Sequence, residues 1–156
     1  PAPLAVRVTD AFGNGVSGVN VNWGVISGLA AFLDTVTVTD GTGLTATTAL
    51  IDTVAGPIQI GAFAAGLTGS PVTFTITALP STPVAADIAA GNFQTVTAGA
   101  LYGAPISVRV SDQYGNVVPG VAVTFVPGTG ASAFSDTVVV TDAAGLASTT
   151  PTATTF

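Results

Sequence analysis

Every acidic side chain in this sequence is an aspartate. Asp10, Asp34, Asp40, Asp52, Asp87, Asp112, Asp136 and Asp142 stand against two cations, Arg7 and Arg109. Lys, Glu, His, Cys and Met are absent. Carboxylates of this kind could do two things. A facing pair could hydrolyse a glycosidic bond by acid–base or nucleophilic chemistry, and a converging set could hold Ca²⁺ through hard oxygen ligands. For the second, Asp10, Asp112 and Asp87 are the candidates, although no spacing here makes an EF-type loop. The missing residue types exclude far more. Without His or Cys there is no donor set for structural zinc, iron–sulfur or haem, and no Ser-His or Cys-His nucleophile pair. Without Lys there is no Schiff base and no phosphate-cradling P-loop. A net charge of −6 carried with two cations cannot supply the basic footprint of a nucleic-acid binder.

The aspartates recur. Arg109 follows Arg7 by 102 residues, and Asp136 follows Asp34 by the same 102. Val6-Arg7-Val8-Thr9-Asp10-Ala11-Phe12-Gly13-Asn14 returns as Val108-Arg109-Val110-Ser111-Asp112-Gln113-Tyr114-Gly115-Asn116. Asp34-Thr35-Val36-Thr37-Val38-Thr39-Asp40 returns as Asp136-Thr137-Val138-Val139-Val140-Thr141-Asp142. The register holds without insertion from Ala2 to Thr48, with about half of the aligned pairs identical. Three pairs of carboxylates repeated at one period point to structure rather than catalysis. Asp10, Gly13 and Asn14, with Asp112, Gly115 and Asn116, read as turns in which the carboxylate accepts backbone N–H bonds. Asp40 with Gly43, and Asp142 with Gly145, read the same way. No catalytic residue, no resident metal and no cofactor is expected.

The elements that position these turns are strands. Apolar and Thr or polar residues alternate at Leu4–Thr9, Val19–Trp23, Thr35–Thr39 and Val72–Thr77, and again in the second copy. That is the pattern of half-buried β-strands. The expected arrangement buries the β-branched residues on one face and turns Thr outward. No helical period of useful length is present. Expected strands in a complete unit are Val84–Thr97, Ala104–Asp112, Gly120–Val126, Asp136–Thr141 and Leu146–Thr154, closed by strands like Pro57–Ala65 and Pro71–Ala78. Trp23 and Phe125 occupy matching positions and read as core aromatics.

A period near 100 residues fits a β-sandwich, and 156 residues hold less than two periods. Val84–Gly99 has no counterpart before Pro1, and Ala55–Leu79 has none after Phe156. The expected organisation is a sandwich domain lacking its first strand over 1–79, a Pro-containing linker over 80–83, and a sandwich domain lacking its last strands over 84–156, both of the Ig-like kind that the motif below implies. Two prolines in Leu79-Pro80-Ser81-Thr82-Pro83 stiffen the link and favour a rod. The mean hydropathy is +0.71, yet no apolar run approaches the roughly 18 residues of a spanning helix. Residues 1–10 carry no signal-peptide pattern, so the chain reads as a mature product or a fragment of a longer array.

The string Asp10…Phe12-Gly13-Asn14…Val16…Gly18-Val19…Val21…Trp23, with its copy Asp112…Tyr114-Gly115-Asn116…Val118…Gly120-Val121…Val123…Phe125, resembles the group 1 bacterial immunoglobulin-like domains of the invasin and intimin type. The tail Ala64-Ala65-Gly66-Leu67-Thr68-Gly69-Ser70-Pro71-Val72-Thr73-Phe74 resembles the closing strands of that family. The resemblance implies an all-β fold of tandem Ig-like antiparallel β-sandwiches, one nearly complete plus one partial copy. It also implies an extracellular, cell-surface location within a stalk.

Composition adds a second strand of reasoning. Only 6% of residues are charged, against about 25% in an ordinary soluble domain. Lys, the usual guard of exposed strand edges, is missing. Such faces are expected to associate, with copies of itself as partners, or to carry an O-linked coat, since no N-x-S/T sequon is present. The function expected is therefore a non-enzymatic structural repeat segment of a bacterial surface stalk or self-assembled filament. Two alternatives stand beside it. One is a carbohydrate- or surface-binding adhesive module using Phe12, Tyr114 and Phe63, with a glycan as partner. The other is a decoration domain of a phage or secreted protein.

Overall fold

The computed structural model describes residues 2–95, 97, 104–128 and 133–152. The chain forms two compact units, Pro1–Leu79 and Pro80–Phe156. All regular structure among the described residues is strand. Among the described residues no helix is long and apolar enough to cross a membrane.

The first unit contains β1 (Leu4–Arg7), β2 (Asn20–Ser27), β3 (Ala30–Phe32), β4 (Val36–Val38), β5 (Leu44–Thr47), β6 (Ala49–Ile51), β7 (Gly56–Phe63) and β8 (Val72–Ala78). A four-stranded sheet runs β4-β2-β7-β8, and β1 pairs with β5. A small ribbon, β3-β6, completes the unit. Every pairing is antiparallel. The core lies between the elements, built from Val8, Val21, Trp23, Ala49, Ile58, Ile60, Ala62 and Ala64. Leu4, Val6, Phe74 and Ile76 pack around it, half-buried. The strands form because β-branched and aromatic residues suit a pleated, half-buried surface.

The second unit contains β9 (Pro83–Ala90), β10 (Ile106–Asp112), β11 (Ala122–Thr124), β12 (Ala133–Phe134), β13 (Val138–Val140), β14 (Leu146–Thr149) and β15 (Pro151–Thr152). Its three-stranded sheet runs β14-β10-β9, with β11-β13 and β12-β15 as pairs. The register of β10 on β14 sets Arg109 opposite Leu146, matching Arg7 opposite Leu44 in the first unit. Val110, Val118, Phe125 and Ala147 are buried. Both units are thus built of antiparallel β-structure.

Three expectations need correction. The strand expected over Val84–Thr97 stops at Ala90, because Gly91 and Phe93 turn into the left-handed region at φ 82° and 54°. Gly91 there lies so close to the Pro105 carbonyl and Ile106 that a side chain would collide. The strand expected over Gly120–Val126 spans only Ala122–Thr124. The one expected over Leu146–Thr154 divides at Thr150 into β14 and β15, and residues 153–154 lie outside the described residues.

The alternation is also inverted in places. Val36 and Val38 face solvent while Thr37 turns inward, and Val138 and Val140 repeat this. In β5 Leu44 is exposed while Thr45 and Thr47 are buried. Valine and threonine have nearly the same shape, so threonine can take the inward place where it satisfies a polar group, while in β13 Val139 takes it.

Candidate functional site

Four loops share one build. The Asp10 amide donates to the Asn14 carbonyl at 2.9 Å, and the Gly13 amide to the Asp10 carbonyl at 3.1 Å. Asp10 Oδ1 accepts the Phe12 and Asn14 amides at 2.9 and 2.8 Å. Its Oδ2 accepts Asn14 Nδ2 at 3.0 Å. In the second unit Asp112 Oδ1 accepts the Tyr114 and Asn116 amides, both at 2.9 Å. Asp112 Oδ2 accepts Asn116 Nδ2 and the Ser81 amide, both at 2.8 Å. Asp40 takes the Thr42 and Leu44 amides at 2.8 and 3.0 Å, plus the Thr42 hydroxyl at 2.7 Å. Asp142 takes the Ala144 and Leu146 amides at 2.8 and 3.0 Å.

The fourth position of each loop must turn left-handed, and Gly13 and Gly43 do so at φ 85° and 80°. Glycine adopts that conformation without the Cβ penalty. The loops also meet. The Val8 amide donates to the Gly43 carbonyl at 2.8 Å, and Val110 repeats the bond to Gly145 at 2.8 Å. A Cβ at Gly15 would run into the Thr42 carbonyl.

These bonds favour the ionised form of Asp10, Asp40 and Asp112. The Asn14 side chain is the chief cause of the lowered pKa of Asp10, and the Thr42 hydroxyl of that of Asp40. Burial opposes the charged form of Asp112 more than any single bond favours it. Four bonds from Asn116, Ser81 and Tyr114 together outweigh it and bring the carboxyl down to about 2. A carboxylate accepting several N–H bonds is stabilised in this way.

The other aspartates act separately. The Asp34 and Asp136 carbonyls accept the hydroxyls of Thr47 and Thr149, each at 2.8 Å. Asp52 Oδ1 accepts the Thr53 amide at 2.6 Å. Asp87 lies on β9 opposite Arg109. Arg7 Nε donates to the Thr42 carbonyl at 3.1 Å. Among the described residues no three acidic side chains gather to hold a metal.

Trp23 is buried, with its ring 6.0 Å from Phe74 and tilted by 38°. Phe125 is buried beside Phe134 at 5.9 Å. Phe12 is 90% exposed and Tyr114 is 54% exposed, at matching turn positions. Phe63 lies over Gly24 and Gly61, where a side chain would strike its ring.

An open groove of about 510 Å³ runs beside β1, between it and the β7–β8 turn. Val6, Val8, Val21, Ala62 and Ala64 give it an apolar lining, and Val72 stands at its rim.

Residues 1–77 match the model of the bacterial Ig-like domain (group 1). The first unit belongs to this family. Two solved structures are similar over 97% of the chain. The D0-D1 domain of intimin is 22% identical, with 75% of that chain covered and a TM-score of 0.44. The crystal structure of invasin, described as a bacterial integrin-binding protein, is 19% identical, with 30% of that chain covered and a TM-score of 0.41. No curated protein matches the chain.

In each unit a buried threonine escapes a reading of pattern alone. Thr39 is buried, donates to the Val16 carbonyl at 2.7 Å and accepts the Val19 amide at 2.9 Å. Thr141 does the same with Val118 and Val121 at 2.8 and 2.9 Å. Their signal was available: both threonines lie just before the loop aspartates of the repeat.

Proposed function

We propose that the chain is a non-enzymatic structural repeat segment of an extracellular bacterial surface protein, a stalk or a self-assembled filament. In this reading residues 1–79 are an Ig-like domain without its first strand, 80–83 a linker, and 84–156 an Ig-like domain without its last strands. The observation that carries it is the repetition of one bond network at Asp10 and Asp112, and at Asp40 and Asp142. Their carboxylates are spent on holding turns, which leaves them poorly placed for substrate. Few charges and many outward Val and Leu side chains favour packing against neighbours.

Imaging tests the reading. Antibody labelling and electron microscopy of the producing cells should locate the protein in rods or fibres at the surface. An intracellular, dispersed pool, or hydrolase activity of the purified chain abolished by Asp→Asn changes, would overturn it.

The exposed rings of Phe12 and Tyr114 support a second reading, adhesion to glycans by stacking. A glycan array should then show binding lost in Phe12→Ala. Binding unchanged by that substitution, or none at all, removes it.

A further inference from the structure

Thr35-Val36-Thr37-Val38-Thr39 reads the same in both directions, and so does Thr137-Val138-Val139-Val140-Thr141 at the same place in the repeat. Each holds a strand, β4 in the first unit and β13 in the second. β4 is the outer strand of β4-β2-β7-β8, and among the described residues β13 pairs with β11 alone. The segments that occur once in the chain pair elsewhere, β7 with β2 and β8, and β9 with β10. Among the described residues, both units leave the same strand edge open.

The ladder fixes which main-chain groups that edge presents. The Trp23 amide donates to the Thr35 carbonyl at 2.8 Å, and the Thr39 amide to the Val19 carbonyl at 3.0 Å. Val21 stands opposite Thr37 between them. Hydrogen-bonded pairs alternate along an antiparallel ladder, so the N–H and C=O groups of Val36 and Val38 point away from β2. In the second unit the Phe125 amide donates to the Thr137 carbonyl at 2.8 Å, and the Thr141 amide to the Val121 carbonyl at 2.9 Å. Val138 and Val140 are turned outward in the same way. All four valine side chains are more than half exposed. Neither strand carries the Lys or Pro that commonly guards an edge.

The geometry points to an antiparallel contact between two copies, β4 on β4, about a twofold axis at Thr37. In that register Val36 of one copy stands opposite Val38 of the other, and each such pair exchanges both main-chain bonds. The palindrome sets valine against valine on the outer face, where β-branched pairs pack well. A slip of two residues would set Val38 opposite Asp34 or Val36 opposite Asp40, and a slip of one would turn the valines to the other face. The contact is isologous. β13 offers the same edge, so one chain can pair with two neighbours and carry the assembly beyond a dimer.

Charge gives the contact a sign. Asp34 and Asp40 flank β4 and are exposed, and the register brings Asp34 of one copy toward Asp40 of the other. Like charges there oppose pairing, and salt screens exposed charges. Self-association should strengthen as salt rises, the reverse of a contact held by ion pairs.

This contact rests on the assembly half of the reading above and deepens it, yet it can fail while the stalk half stands. Sedimentation of the full chain over a range of concentrations measures the self-association. It should strengthen between about 0.05 M and about 0.5 M NaCl, and also in Asp34→Asn. Val36→Lys should weaken it about tenfold, and Val36→Lys combined with Val138→Lys should abolish it, because lysine guards an edge. Trp23 fluorescence checks that the first unit of each variant is folded. Because the chain has no cysteine, disulfides can read the register. A Val36→Cys copy mixed with a differently tagged Val38→Cys copy should cross-link under mild oxidation. Either copy alone should not, since its two cysteines would stand two residues out of register and beyond disulfide reach. No self-association, association unmoved by both lysines, or cross-linking as fast in either copy alone would overturn the contact. Surface rods seen by microscopy would still support the stalk.

Discussion

Trp23 Nε1 donates to the Thr37 hydroxyl at 2.8 Å, across the diagonal between β2 and β4. The bond explains why Thr37 faces inward while its valine neighbours face solvent. A buried indole N–H without an acceptor is costly, and a valine at 37 would fill the same space without accepting it. Thr37→Val should therefore destabilise the first unit by about 1–3 kcal/mol, the cost of leaving a buried donor unmade. Thr37→Ser, which keeps the acceptor, should lose less. Trp23 is the only tryptophan, so its fluorescence during denaturant unfolding reports on the first unit alone.

The loop packing gives a graded prediction. Gly13 has open space around its α-carbon and a left-handed φ of 85°. Gly13→Ala should cost about 1–2 kcal/mol from backbone conformation. Gly15 has no left-handed requirement, but its missing Cβ leaves room for the Thr42 carbonyl. Main chain cannot swing aside as a side chain can, so Gly15→Ala should cost more than Gly13→Ala. The same Trp23 unfolding curves rank them. Equal midpoints would deny the close approach of the two loops.

Acid should loosen the second unit in a defined direction. The Asp112 carboxyl lies at about 2 in the folded chain, below its ordinary 3.8. A depressed carboxyl contributes stability that is full above the unfolded value and is lost as pH falls through the folded one. Stability should thus decline from roughly pH 4 toward pH 2. Asp112→Asn should be less stable at neutral pH and should flatten that decline. Thermal melts followed by circular dichroism from pH 2 to 6 would show it. Parallel slopes for the two proteins would rule out Asp112 as the source.

Much of this architecture is readable before any coordinates. The alternation around Val6, Val21 and Phe74 marks strands, and Asp-x-x-Gly marks the loops. Both depend on neighbours in sequence. The inward threonines depend on neighbours across the sheet. Thr37 is chosen by Trp23, and Thr39 by the Val16 carbonyl and Val19 amide, so a pattern read along one strand assigns their faces wrongly. The groove beside β1 is harder still. It requires β7 and β8 to arrive from about 50 residues away, and no pattern along one strand shows that.

Calcium should be irrelevant to folding, and the reason lies in lone pairs. A carboxylate offers about four acceptor positions. Asp112 fills four with the Tyr114, Asn116 and Ser81 amides and Asn116 Nδ2. Asp10 fills three with Phe12 and Asn14. A cation at Asp112 would have to displace donors that already stabilise the charge, and the one position left on Asp10 falls far short of the roughly six to eight oxygens that Ca²⁺ takes. Asp87 sits apart, opposite Arg109 on an exposed strand. A ligand held a hundredfold above its dissociation constant adds about 2.7 kcal/mol to stability, which for small domains raises the melting temperature by about ten degrees or more. Melts in excess chelator and in millimolar Ca²⁺ should instead superimpose. A calcium-dependent rise that disappears in Asp10→Asn or Asp112→Asn would show that the loops bind the ion after all.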